Sequence, residues 1–206
     1  MTGIIQFAFR ITHIDNIPHI LRFGILQASS PLCSPSFVSI GDTQVITSRK
    51  DLVINNIHIS DCVPFYFGPR SPMLYVIQHG YNGVRRRKPE EIVYCVIRLA
   101  DIISSEIECI FSNGHALSAI TKFYPKDSLS DINNIIRYED VYASKWNNNE
   151  YDIDIKRRKE AELLINDDVP TQLICGYVVY NENAKSILKS LGITDNMIHV
   201  APQYYF

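Results

Sequence analysis

Two glutamates, two arginines and a dense aromatic block carry the chemistry that residue type and spacing suggest in this chain. Glu160-Ala161-Glu162 sets two carboxylates one residue apart. If that stretch is extended, both point to one face, where they can accept from a sugar hydroxyl and face a developing cation. Arg49 stands among Ser48, Lys50 and Asp51, and its planar fork suits a phosphate. Arg10-Ile11-Thr12-His13 ends an apolar stretch and leads into Asp15-Asn16. A strand end beside a helix start leaves backbone groups available to a ligand. Between Val63 and Tyr75, Phe65, Tyr66, Phe67 and Tyr75 are interleaved with Pro64, Pro69, Pro72 and Arg70. Such aromatic faces can stack on a heterocycle or a base. Taken singly, each piece has a plainer reading: surface charge for Arg49 and the carboxylates, a strand and its cap for Arg10–His13, and a core strand with its turn for the block.

The elements that must position these residues follow from the rest of the pattern. Residues 4–12 are rich in Ile and Phe and predict a strand. Asp15 reads as the cap of a helix with Pro18 in its first turn, Ile17, Ile20 and Leu21 on its inner face and Gly24 at its end. Residues 27–37 have no periodicity and read as a loop. Residues 61–68 look extended, with Pro64 putting them near a sheet edge or a bulge, and Ser71-Pro72 opens a helix over 71–79. Residues 91–99 are β-branched and nearly continuous, the pattern of a central strand. Further strands are expected at 106–111, 161–164, 171–180 and 196–200. Helices are expected at 114–122 and 181–190, with a basic helix end from 156. Residues 125–154 are polar and acidic and predict only a surface subregion.

Composition bounds the answer. A chain of 206 residues with 46% hydrophobic and 20% charged residues can bury a core, and reads as one domain over 1–206. Dominant strands with irregularly placed helices predict an α+β fold with a largely antiparallel or mixed sheet. No Gly-rich dinucleotide fingerprint, P-loop, HExxH or GxSxG occurs. The five cysteines are scattered without a CxxC pair, which argues against a zinc ribbon or a disulfide framework, so no metal is expected. The absence of a signal-peptide pattern and of any run long enough to span a membrane predicts a cytoplasmic protein with no membrane partner. A net charge of −2 rules out bulk attraction to nucleic acid. A local basic surface would have to serve, and two runs offer one: Arg85-Arg86-Arg87-Lys88 and Lys156-Arg157-Arg158-Lys159.

In this order, the pieces resemble the DarT family of DNA ADP-ribosyltransferases, from about residue 5 to the C-terminus. The densest matches are ITHIDNIPHILRFGIL, VPFYFGPRSPMLY, FSNGHALSAITKFY and RRKEAELLI. The resemblance implies the ADP-ribosyltransferase fold, with two packed, mostly antiparallel sheets flanking an NAD cleft. It implies transfer of ADP-ribose from NAD, as substrate, to a base in single-stranded DNA, thymine first and guanine second. It also implies a toxin, monomeric, paired with a DarG-like macrodomain antitoxin. The family's catalytic Glu falls on Glu162 and its essential Arg on Arg49. Its first-strand His-x-Thr falls on Arg10-Ile11-Thr12, with Arg in place of His, and Glu160 stands where Gln is common. The implied NAD contacts are Arg10, Ile11, Thr12, His13, His19 and Tyr75. Residue type and charge, rather than the resemblance, offer the DNA contacts: Tyr66 and His115 for a base, and Arg85, Arg86 and Arg87 for phosphates.

In that mechanism Glu162 supplies fixed negative charge beside the ribose as nicotinamide, a cationic leaving group, departs. Arg49 either stabilises the base anion or holds the diphosphate, because a guanidinium does not give up its proton. Two other readings stand beside this one. The Glu160–Glu162 pair also resembles transferases that modify protein, which leaves protein or RNA open as acceptor. The same fold could also serve as a catalytically silent nucleic-acid-binding module.

Overall fold

The computed structural model describes residues 3–206. The first strand, β1 (Phe7–His13), sends Phe9 and Ile11 to one face and Ala8 to the other. Helix α1 (Ile17–Phe23) follows and ends at Gly24, whose φ of 83° suits glycine and whose Cβ, if present, would strike the Val169 carbonyl. Next come α2 (Thr43–Ser48), the small hairpin of β2 (Val53–Ile54) and β3 (Ile57–His58), β4 (Val63–Tyr66) and α3 (Pro72–His79). Then β5 (Ile92–Arg98), α4 (Leu99–Ser104), β6 (Cys109–Ser112) and β7 (Phe123–Pro125) lead to α5 (Ile132–Ile135) and α6 (Tyr138–Val141). The chain closes with α7 (Ile155–Lys159), β8 (Glu162–Ile165), β9 (Ile174–Val179), α8 (Glu182–Ser190) and β10 (Ile198–Val200).

Eight strands form one large sheet in the order β10-β9-β5-β1-β4-β8-β6-β7, and β2 with β3 forms a second, small one. Among the described residues of the large sheet, only β9 and β10 run parallel. Its two halves meet at β1 and β4. β1 pairs with β5 along its whole length, from Phe7↔Arg98 to His13↔Ile92, but meets β4 only at Phe9↔Tyr66. Pro64 explains the parting. It has no N–H to give, and its carbonyl accepts instead from Arg10 Nη1 at 3.0 Å. A side chain thus replaces the ladder, and the two strands splay.

The period-2 alternation of the strands sorts the core. Val93, Cys95 and Ile97 of β5, with Phe65 of β4 and Leu163 and Ile165 of β8, bury into one large cluster. The opposite face carries two separate clusters. One is built on Phe9, Ile11, Tyr94 and Val96 under α3, the other on Leu164, Ile110, Ile59 and Cys62. The gap between those two clusters lies over the seam where β1 and β4 part.

Several local expectations are corrected. Asp15 is exposed and caps nothing; its N–H is accepted by His13 Nδ1 at 3.2 Å, and Asn16 occupies the cap of α1. Pro64 lies inside the sheet, paired with Leu164 of β8 on one side and accepting from the Arg10 side chain on the other. Residues 114–122 form turns, not a helix. The Arg157 guanidinium fills the space beside Gly114 and donates to Asn113 and Thr121, so side chains rather than a helical ladder order the segment. Glu160 does not extend β8; it ends α7 with φ −93° and ψ 23°. Residues 125–154 are anchored by buried Leu129, Ile132, Ile136 and Val141 on short helical turns. The strand expected at 171–180 begins only at Ile174, after a single tight turn.

Candidate active site

Glu162 opens β8 opposite Tyr66 of β4, and its side chain is fully buried. Its backbone N–H donates to Ser112 Oγ at 3.2 Å, and that hydroxyl donates to the Gly114 carbonyl at 2.7 Å. Arg49 arrives from far away in sequence. Asp42 caps α2 by accepting from Gln44 N at 2.8 Å, and Arg49 ends the same helix. From there Arg49 Nη2 donates to both Glu162 oxygens, at 2.8 and 2.6 Å, and Ala116 N approaches Oε1 at 3.4 Å. A buried carboxylate without that partner would be strongly unfavourable, so the pair holds together two charges that neither the strand nor the helix end could bury alone.

The charges around the pair are shifted by the same burial. Burial works against the Arg49 cation, but the Glu162 carboxylate more than restores it and raises its pKa. Arg10 is lowered to about 10 by burial, with the Arg49 charge adding to the effect. Burial raises the Tyr66 phenol, and the Glu162 charge pushes it further. His115 is pushed down by burial. Glu160 is pushed up to about 7, by burial first and by the Glu162 charge, against the pull of Lys156.

These groups converge on a cavity of about 500 Å³ over the β1–β4 seam. Arg10, Ile11, Thr12, His19, Arg49, Tyr66, His115 and Glu160 all line it. Glu162 is not on the lining; Arg49 stands at the wall with Glu162 paired behind it. His13 is buried but not on the lining, its Nδ1 serving the turn after β1 and its Nε2 3.5 Å from Glu91. Tyr75 lies elsewhere, among His79, Tyr81, Trp146 and Phe206. Arg85, Arg86 and Arg87 line a second cavity, of about 620 Å³. Among the described residues, no group of three or more His, Cys, Asp or Glu could hold a metal ion, and no helix is long and apolar enough to cross a membrane.

Two further residues hold this geometry, Asn16, which follows the first strand in sequence, and Asp42, which no motif marks. Asn16 donates to Thr12 Oγ1 at 3.0 Å and to the Val38 carbonyl at 2.9 Å, and accepts from Val38 N at 2.8 Å. It thereby pins the strand end to the loop that covers the cavity. Asp42 caps the helix that delivers Arg49. An Asp before Thr-Gln is a cap signal, but a six-residue helix with no buried face offers no periodicity to support it.

A family model described as the single-stranded-DNA thymidine ADP-ribosyltransferase DarT matches residues 9–206. The chain belongs to the DarT family of DNA ADP-ribosyltransferases. A DNA ADP-ribosyl transferase of Escherichia coli O127:H6 is 31% identical over 206 residues, spanning 96% of this chain and 92% of that protein. In Thermosipho africanus the similar protein is a DNA ADP-ribosyl transferase–DNA ADP-ribosyl glycohydrolase fusion, 28% identical, covered over 49% of its length. The Thermus sp. 2.9 DarT bound to ADP-ribosylated single-stranded DNA superposes with a TM-score of 0.81 at 26% identity, over all of both chains. The same protein bound to NAD+ gives 0.76. The α+β architecture is thus the ADP-ribosyltransferase-like fold of DarT, and NAD is the substrate of this enzyme class.

Proposed function

We propose that this DarT-family enzyme transfers ADP-ribose from NAD to thymine in single-stranded DNA, and that it acts as the toxin of a pair whose antitoxin is a macrodomain protein. The observation that carries the reading is the buried Arg49–Glu162 pair at the wall of a cavity large enough for a dinucleotide. The residues present fit NAD. Arg10 and Arg49 offer two cations to a diphosphate, and Thr12 with the end of β1 offers polar groups to the rest of the molecule. The family name and the fused glycohydrolase of the Thermosipho relative support thymine and the macrodomain partner respectively.

NAD supplies the ADP-ribosyl group and a leaving group that already carries positive charge. Glu162 provides fixed negative charge for the sugar carbon as that bond breaks. To meet the sugar it must be uncovered, and a diphosphate drawing Arg49 away would do so. Arg49 keeps its proton and acts as a cation throughout. Glu160, in the same cavity and with a value near 7, is the carboxylate placed to receive the proton from the base. Tyr66 and His115, on the same lining, flank the base.

The test is mass measurement of DNA oligonucleotides, each lacking one base type, after incubation with NAD. The wild type should add one ADP-ribosyl group to single strands that contain thymine. Glu162→Gln, which keeps the shape and loses the charge, should slow this by about 100-fold or more while remaining folded. Labelling of thymine-free strands alone would replace thymine as the acceptor. Full-rate labelling by the variant would remove Glu162 from the mechanism.

A further inference from the structure

A second cavity, of about 620 Å³, lies outside the reaction site and is lined by Arg85, Arg86, Arg87 and Lys88 together with His79 and Phe206. In a chain of net charge −2, four adjacent cations around one hollow are a strong local departure. Among the described residues Glu91 is the one acidic side chain on its wall, and it is already engaged. It accepts from Lys88 N at 2.7 Å and lies 3.5 Å from Arg87 Nη1. Arg85, Arg86 and Lys88 are exposed.

Beside these cations lies an aromatic shelf. His79 and Tyr81 are stacked with rings 3° from parallel and 5.5 Å apart, and Tyr75 lies 4.1 Å from His79. His79 and Tyr81 are both exposed, Tyr81 at 49%. Cations that track phosphates next to exposed aromatic faces that accept any base are the two components of a single-strand binding surface. Helix α3 joins this surface to the reaction site. Met73, in its first turn, lines the first cavity, and His79, at its end, lines the second. Six residues of helix separate them by about 9 Å, a span that an extended strand covers in a few nucleotides.

We propose that this groove and shelf form a flanking-nucleotide subsite, in which a base beside the target stacks on His79 and Tyr81 while its phosphates lie along Arg85, Arg86 and Lys88. The inference rests on the single-stranded DNA reading above and extends it by assigning a second site on the strand. The subsite fixes the register of the strand, so that one base is delivered over the Arg49–Glu162 pair.

The protein carries its own probe. Trp146 is the only tryptophan in the chain, and it lies 6.0 Å from Tyr75 and 5.3 Å from Phe206, against the shelf. Adding a single-stranded oligonucleotide to the wild-type protein should change tryptophan fluorescence in a salt-sensitive way, and adding a mononucleotide should not. The double variant His79→Ala, Tyr81→Ala should raise the KM for a long oligonucleotide by roughly 5- to 100-fold, with kcat and the KM for NAD unchanged. Wild-type labelling of oligonucleotides with no fluorescence change, or a double variant with an unaltered KM, would overturn the subsite and leave the function intact. A double variant that labels DNA normally but no longer binds a macrodomain protein would overturn it in favour of a protein-docking surface. A wild type that labels no DNA would overturn the function first and the subsite with it.

Discussion

Arg85-Arg86-Arg87-Lys88 and Lys156-Arg157-Arg158-Lys159 have nearly the same composition, and together they hold eight of the chain's 20 Lys and Arg residues. The fold uses them oppositely. The first run lies in an extended loop around an open groove, mostly exposed. The second is spent inward. Arg157 donates to both oxygens of Asp154 at 2.7 Å. Arg158 joins Asp140 and Asp152 through short bonds and approaches Asp154. Lys159 is 2% exposed and donates to the carbonyls of Pro69 and Val141 at 2.7 and 2.6 Å. What separates the runs is the supply of partners. The acidic residues of 140–154 and two carbonyls surround the second run, whereas one glutamate and the Gln78 carbonyl meet the first. Three members of the second run consequently clamp the acidic surface region to the strand that carries Glu162 and leave Lys156 exposed, whereas most of the first run remains available to a polyanion.

That contrast can be broken or sharpened in three ways. The largest effect is expected at Lys159. Burial lowers its ammonium to about 7 from an ordinary 10.5. The unfolded chain therefore binds more protons at this residue between those two values, and stability rises with pH across that window. Lys159→Met should abolish this rise, so that urea unfolding in a pH series finds the wild-type advantage growing toward pH 10 by on the order of 2 kcal/mol. Parallel curves would class Lys159 with the exposed run.

Next in size, replacing Arg85, Arg86 and Lys88 together by Gln should weaken oligonucleotide binding by about 10-fold at moderate salt and reduce the slope of log affinity against log salt by about 2. The melting temperature should change little, because the three side chains are exposed and the bond lost is that of Arg86 Nε to the Gln78 carbonyl at 3.1 Å. An unchanged slope would take the groove off the strand path.

The smallest effect is expected at Lys156, the exposed member of the second run. Lys156→Gln should alter stability by less than about 0.5 kcal/mol. It removes a cation that lowers the Glu160 carboxyl, so Glu160 should hold its proton to higher pH. The step near neutrality in the pH profile of DNA labelling should then move upward by less than about one unit. An unmoved step would separate Glu160 from proton transfer.

Much of this was legible in the sequence because it depends on neighbours along the chain. The strands at 7–13, 92–98, 109–112 and 162–165 follow from β-branched and aromatic runs, and α3 follows from Ser71-Pro72, whose hydroxyl caps Leu74 as the pattern requires. Glu162 falls within one of the resemblance motifs, whereas Arg49 falls in none and is assigned only by its place between the first helix and the aromatic block; the fold brings the two into contact although they lie far apart in sequence. The family, the α+β class and the strand that bears the buried carboxylate are thus written in local order. Partnership is not. Whether an arginine run meets carboxylates, carbonyls or open space, whether Pro64 sits at an edge or opens a seam, and whether Glu160 joins a strand or ends a helix depend on segments distant in sequence. Those outcomes rest on desolvation and pairing, which exist only once the chain has closed on itself, and so the tertiary structure alone decided them.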